Sequence, residues 1–231
     1  MIKNLALGFA TIFLSVLTTD VNAVSVYAFD TGWYRDDGVH EPSNKNSLTG
    51  YLGNEYRGFL LWNIPQFEGN LVSASFSVLM SYPFAVFQST GQMYDISADN
   101  INLISTTNGS GNGLNVFSDL GSGQVYGNIS TIGSHDDDWL TFELNAAALS
   151  TIYQARGGVF GIGMRNANNE GWFLFSSGSN LGVQNLNLEI ATPAVPEPEE
   201  WAMMIVGIPL VGWQIRRKQT RRNSGIPRIA E

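Results

Sequence analysis

The sequence predicts an all-β fold: an antiparallel β-sandwich of jelly-roll type with one short helix, flanked by an N-terminal signal helix and a C-terminal transmembrane helix. Short apolar segments separated by Gly, Asn, Ser and Asp recur throughout residues 24–190. Residues 71–80 alternate with a period of two, which places Val72, Ala74, Phe76, Val78 and Met80 on one face and serines on the other. The chain has no cysteine, so sheet packing must supply its stability without disulfides.

Nine segments of the body show the composition of strands. They are residues 24–29, 57–63, 71–80, 93–96, 124–129, 139–144, 159–164, 172–176 and 186–190. The helix is expected after Asn145, which can cap it, and should end at Gly157 and Gly158. Residues 108–113, rich in Gly and Asn, are expected to form a flexible loop.

The N-terminal residues 1–23 are typical of a signal peptide. Lys3 gives a positive start, residues 5–17 are apolar, and Val21 and Ala23 occupy the positions that a signal peptidase reads. The mature chain is therefore expected to begin near Val24. The alternative is an N-terminal membrane anchor that is not cleaved.

Near the C-terminus, residues 201–215 are predicted to cross a membrane. Gln214 is the only polar residue in this segment, which as a helix would be about 22 Å long. This is shorter than the hydrocarbon core, so Trp201 and Trp213 would sit at the interfaces and the following basic residues would reach back to one of them. The basic residues predict that the tail, residues 216–231, is cytoplasmic. The alternative is a buried helix of a globular domain.

Residues 191–200 form a proline-rich linker in front of this segment and contain a Pro-Glu-Pro motif. With the segment that follows, the linker resembles the PEP-CTERM sorting signal, in its variant with Trp-Ala two residues after the motif. The residues that match in order and spacing are Pro196, Glu197, Pro198, Trp201, Ala202, Met203, Met204, Gly207, Gly212, Arg216, Arg217 and Lys218.

This resemblance implies a partner, an exosortase, which is a membrane-embedded cysteine protease that cuts close to the Pro-Glu-Pro motif. It also implies a location. The protein would be exported, anchored in the inner membrane by the C-terminal helix before processing, and then released to the cell surface or the extracellular space of a bacterium that makes exopolysaccharide.

The body between the two terminal segments is acidic. Residues 24–198 contain 5 basic and 16 acidic side chains. Such a charge repels phosphate backbones, which argues against nucleic acid as a partner. It also attracts divalent cations.

Two acidic clusters are candidate calcium ligands, because calcium prefers carboxylate oxygens. They are Asp36 and Asp37, and Asp136, Asp137 and Asp138. Any calcium would be structural, and no other cofactor or metal is expected. The alternative is that both clusters are solvated turns that protect a sheet edge.

Five aromatic residues in or beside predicted loops are candidate saccharide contacts, because exposed rings can stack on sugar faces. They are Trp33, Tyr34, Tyr51, Tyr56 and Trp172, and the segments 30–40 and 166–172 are the expected site. The alternative places these rings in the core or at its rim. The strand at residues 57–64 also resembles the early core strand of carbohydrate-binding-module-like sandwiches, which implies a fold and not an activity.

No catalytic residues are predicted. His40 and His135 lie in polar loop sequences and are interpreted as solvated surface residues, since neither belongs to a recognisable catalytic motif. The expected function is therefore that of a non-enzymatic structural or adhesive protein of the extracellular matrix. A polysaccharide-binding module and a secreted hydrolase are the alternatives, and exopolysaccharide is the partner that the first of these would need.

Overall fold

The computed structural model describes residues 19–79, 89–106, 113–132, 138–167, 171–175 and 184–193. Its compact β-rich unit runs from Val21 to Thr192. The signal sequence up to residue 18 and the sorting segment from residue 194 onward lie outside the described residues, as do Met80, His135, Asp136 and Asp137. None of the described helices has the length and apolar character needed to cross a bilayer.

Ten strands and three helices lie within the described residues. The strands are β1 (Thr19–Arg35), β2 (Ser47–Tyr51), β3 (Glu55–Asn63), β4 (Asn70–Leu79), β5 (Thr90–Asp95), β6 (Val125–Ser130), β7 (Trp139–Glu143), β8 (Val159–Asn166), β9 (Trp172–Phe175) and β10 (Gln184–Pro193). The helices are α1 (Ala98–Thr106), α2 (Gly113–Asp119) and α3 (Ala146–Gln154).

The strands form one antiparallel sheet that is nearly closed. Their order is β6-β5-β8-β3-β1-β10-β4-β7, and β2 pairs with both β3 and β9. The long strand β1 joins the two halves, because it pairs with β3 and also lies beside β10. A register shift between Ala28 and Asp30 leaves Phe29 as an extra residue in β1, and such a bulge bends a strand.

The core lies between the two halves of the sheet. Trp62 on β3 packs against Phe160 on β8 and, from the other half, against Phe76 on β4, with ring centroids 6.0 and 6.2 Å away. Phe142 on β7 lies 6.1 Å from Phe175 on β9. These rings belong to one buried cluster, which supplies most of the apolar burial that drives folding.

A second, smaller core lies between the sheet and the two short helices α1 and α2. Tyr34, Phe59 and Leu61 of the sheet are buried against Ile104, Val116, Phe117 and Leu120. Side chains of β1 and β3 therefore belong to different cores according to the face on which they lie, and six of the nine residues of β3 are buried.

The prediction of a mostly β fold is confirmed, and each of the nine predicted strands overlaps a strand of the structure, although β1 is much longer than predicted. Helix α3 is also confirmed. The Asn145 side chain caps it by accepting hydrogen bonds from the amides of Ala147 and Ala148, and Gly157, with a φ of 74°, follows its end.

Three elements were not predicted, namely β2, α1 and α2, so the prediction of a single helix is wrong. The predicted loop at residues 108–113 is corrected at Gly113, which begins α2; its other residues lie outside the described part. Gly50 helps to explain why β2 was not predicted from the sequence, since glycine is uncommon within strands. It has a φ of 122°, and an added Cβ would lie 2.5 Å from the Trp172 Cα of β9, so this strand requires a glycine.

The predicted inward face of β4 is wrong at Val72, which is 49% exposed. Glu189 pairs with Ser73 and Ile190 pairs with Leu71, so that Val72 is an extra residue in the ladder. This bulge reverses the alternation, and Leu71 packs against the core in its place. Ala74, Phe76 and Val78 are buried as predicted.

Candidate functional site

Strand β1 continues to Arg35 and carries the predicted saccharide residues Trp33 and Tyr34 into the interior. Both are buried, and so is Trp172 on β9. Tyr56 is partly buried and lies edge-on to Trp33, with ring centroids 5.1 Å apart. The prediction that these rings offer open stacking faces is therefore wrong for Trp33, Tyr34 and Trp172. Tyr51 alone of the five is largely exposed, at 50%.

His40 is part of the same aromatic cluster, which corrects its interpretation as a solvated residue. Its ring stacks on Tyr34 with centroids 4.4 Å apart and planes 14° apart, and Phe59 lies edge-on to it. Nδ1 donates a hydrogen bond to the Trp33 carbonyl oxygen at 2.7 Å. Since a carbonyl can only accept, this bond fixes the proton on Nδ1.

Burial changes the pKa of two groups in this cluster. It lowers the pKa of His40 below its ordinary value, while the Trp33 carbonyl and Asp30 act in the opposite direction. Burial also raises the pKa of Tyr34 to about 12, with a further contribution from Asp30. Both rings are therefore neutral at pH 7 and pack as aromatic surface.

We expect the stability of the protein to fall between pH 7.5 and pH 5.5 because of His40. The unfolded chain binds a proton near pH 6.5, whereas the folded chain binds it only at lower pH, so that acidification favours unfolding. Urea unfolding at several pH values measures this loss. His40→Gln should flatten the pH dependence. Identical slopes for His40→Gln and the natural protein would contradict the assignment.

The first predicted calcium cluster is engaged in a turn. Asp37 accepts a hydrogen bond from Arg35 Nε at 2.8 Å and another from the Val39 amide, and the Arg35 bond is the main cause that lowers the pKa of this carboxyl. Asp36 accepts a hydrogen bond from the Glu55 amide at 3.2 Å. Asp36 thus ties the end of β1 to the start of β3, while Asp37 holds the turn in which it lies.

Of the second cluster only Asp138 is described, directly before β7. Across the described residues, no three His, Asp or Glu side chains come together in a way that could hold a metal ion. Calcium binding at Asp136, Asp137 and Asp138 stays a prediction.

The most buried charge among the described residues is Arg57 on β3. Its Nε lies 2.9 Å from Glu55 Oε1, and its Nη1 donates hydrogen bonds to the carbonyl oxygens of Phe117 and Ser118 at the end of α2. The guanidinium also lies 4.0 Å from the centre of the Phe117 ring. Burial lowers the pKa of Arg57, while Glu55 raises it. This group fastens a helix to the sheet and has no geometry that suggests catalysis.

A different surface brings exposed polar and aromatic groups together. We call it the outer face: the solvent side of β1, β10, β4 and β7, which are neighbours in the sheet. A chain of hydrogen bonds crosses all four strands. Ser25 Oγ donates to Asn187 Oδ1 at 2.8 Å, Asn187 Nδ2 donates to Ser77 Oγ at 3.1 Å, and Ser77 Oγ lies 2.9 Å from Thr141 Oγ1.

Three exposed rings stand on this outer face: Tyr27 and, beside it, Phe29 on β1, and Trp139 on β7. Tyr27 on β1 is 59% exposed and Trp139 on β7 is 54% exposed. Their neighbours in sequence, Val26 and Leu140, pack partly against the core, so the rings point away from it. Neither Tyr27 nor Trp139 was predicted as a candidate contact from the sequence. The alternation of Trp139 and Thr141 with the core residue Phe142 is the signal that would have found the ring of Trp139.

A comparison of the chain with protein-family models finds no match, and a comparison with curated proteins finds none either.

Proposed function

We propose that this protein is an exported component of a bacterial cell envelope or extracellular matrix, sorted and processed through its C-terminal segment by an exosortase-type membrane protease. The observation that carries the proposal is the order of three features in the sequence. A Pro-Glu-Pro motif at residues 196–198 precedes an apolar segment at residues 201–215, and Arg216, Arg217 and Lys218 follow. The protein would be anchored in the inner membrane before processing and would reach the surface or the medium afterwards.

The bounds of the compact unit support this proposal. The unit ends at Thr192, and β10 ends at Pro193, just before the Pro-Glu-Pro motif. A cut near the motif would thus leave every described strand intact. At the other end, a signal-peptide cut before Val24 would remove the first five residues of β1, of which residues 20–23 are exposed. Val24 and Val26, which pack against the core, would stay.

For the body, we propose a β-sandwich of jelly-roll type with a structural or adhesive role and without enzymatic activity. The rings that β3 and β9 turn toward β4 and β7 support the two-layer arrangement. Arg57, Glu55 and Asp37, which stand out among the described charged groups, are engaged in bonds that hold turns and helices in place. A polysaccharide-binding role is the second candidate, because the outer face presents exposed rings beside hydroxyl and amide groups.

Intact mass measurement of the protein recovered from cells and medium tests the sorting proposal. In cells with the protease we expect a product that starts near Val24 and ends near residues 196–198. Cells without the protease should retain a membrane-bound form that still contains residues 201–215, and so should a variant with alanine at Pro196, Glu197 and Pro198. A product that keeps residues 201–215 in the presence of the protease would overturn the proposal.

A further inference from the structure

We propose that the outer face of β1, β10, β4 and β7 binds an extended, uncharged polysaccharide that runs across the strands from Tyr27 to Trp139. This inference deepens the adhesive role proposed above and rests on it for its biological setting. The binding itself depends only on the described strands.

The first argument is the placement of the two rings. Tyr27 and Trp139 stand on strands that are three positions apart in the sheet, a separation of about 14 Å at the usual spacing of neighbouring strands. An oligosaccharide can span this distance, whereas a single sugar cannot. Aromatic rings bind sugars by stacking on the apolar face of the pyranose, and two separated rings would hold a chain at two points.

The second argument is the surface between the rings. The middle of β10 and β4 holds small polar side chains at its outward positions, namely Asn185, Asn187, Ser73, Ser75 and Ser77. Val72 and Leu79 lie toward the two ends of β4, and Glu189 lies near the end of β10. Hydroxyl and amide groups both donate and accept hydrogen bonds, as sugar hydroxyls do. The bonds from Ser25 to Thr141 fix their orientation before any ligand arrives, which lowers the entropic cost of binding.

The third argument is charge. Glu143 and Glu189 are exposed at outward positions of the four strands, and their one basic residue, Arg35, lies at the far end of β1, where it pairs with Asp37. A polyanionic glycan would be repelled by these carboxylates. A protein partner would usually bury a more apolar centre than this row of serines and asparagines. The surface therefore fits a neutral glycan better than either.

Affinity electrophoresis of the full chain in detergent tests the proposal, with gels that contain hydroxyethyl cellulose, galactomannan, dextran or the anionic glycan alginate. We expect retardation by at least one neutral glycan and none by alginate. Tyr27→Ala and Trp139→Ala should each weaken binding about tenfold, the scale of one lost aromatic contact, and the double variant should migrate as in a gel without glycan. Tyr51→Ala is the matched control, since Tyr51 is similarly exposed but lies on β2.

The proposal is overturned if no neutral glycan retards the protein, or if Tyr51→Ala weakens binding as much as Tyr27→Ala and Trp139→Ala do. Retardation by alginate alone, or capture of a protein partner with no glycan binding, would also overturn it. Because these measurements use purified protein, their outcome is independent of whether the C-terminal segment is cut in cells.

Discussion

Trp62→Ala is expected to lower the free energy of unfolding by about 3–5 kcal/mol. Trp62 is fully buried at the centre of the main core, where it packs against Phe76 and Phe160. Removing the indole deletes contacts to both halves of the sheet and leaves a cavity that the surrounding strands can fill only in part. Since domains of this size have a total stability of about 5–15 kcal/mol, the variant should lose much of its resistance to urea. Far-UV circular dichroism during urea unfolding measures this loss.

Trp139→Ala is the matched control, because it removes the same side chain from an exposed position. Its effect on the free energy of unfolding should stay within about 0.5 kcal/mol. Equal urea midpoints for Trp62→Ala and Trp139→Ala would contradict the placement of Trp62 in the core.

Glu55→Gln is expected to destabilise the protein by about 3 kcal/mol. Glu55 Oε1 lies 2.9 Å from Arg57 Nε and 3.4 Å from Arg165 Nε, so one carboxylate neutralises two guanidinium groups. The amide keeps the shape of the side chain and removes its charge. The buried Arg57 would then have lost its counter-ion beside a second cation, and the attachment of α2 to the sheet should weaken. Urea unfolding of the variant and of the natural protein measures the difference.

Asp37→Asn is the control for an exposed ion pair. Asp37 and Arg35 are both well exposed to solvent, which screens their attraction, and the substitution should change the urea midpoint little. Equal losses in the free energy of unfolding for Glu55→Gln and Asp37→Asn would contradict the burial of the ion pair between Glu55 and Arg57.

The strands were predictable because their pattern is local. A period-two alternation of Ala74, Phe76 and Val78 with serines fixes which side of β4 faces the core, whatever the strand pairs with. The exposure of Val72 was not predictable, because it results from a bulge. The bulge depends on how β4 pairs with β10, and the sequence of β4 alone does not determine that register.

Elements that are stabilised by tertiary contacts were not predicted from the sequence. Strand β2 contains Ser47 and Thr49, which are polar yet fully buried, and the Thr49 hydroxyl accepts a hydrogen bond from the Gly58 amide. Helix α2 has only seven residues and is held by Arg57. Neither shows the apolar periodicity from which elements are predicted, since distant partners supply much of their stability.

The candidate site was misplaced for a related reason. The strand predicted to end at residue 29 continues through the bulge at Phe29, and this continuation buries Trp33 and Tyr34 instead of presenting them in a loop. Exposed rings lie instead at Tyr27 and Trp139, within strands. Aromatic residues are common in strands, so the sequence alone does not mark these two as candidate site residues.

The position of β10 between β1 and β4 constrains when the protein can fold. Ribosomes make β10 last, whereas its two neighbours are made much earlier. Until residues 184–193 have emerged, β1 and β4 each lack a partner on one edge and present unpaired amides and carbonyls there to any other chain nearby. The body therefore stays vulnerable to misassembly until β10 is available to pair, and a chain truncated before residue 184 should aggregate where the full chain does not.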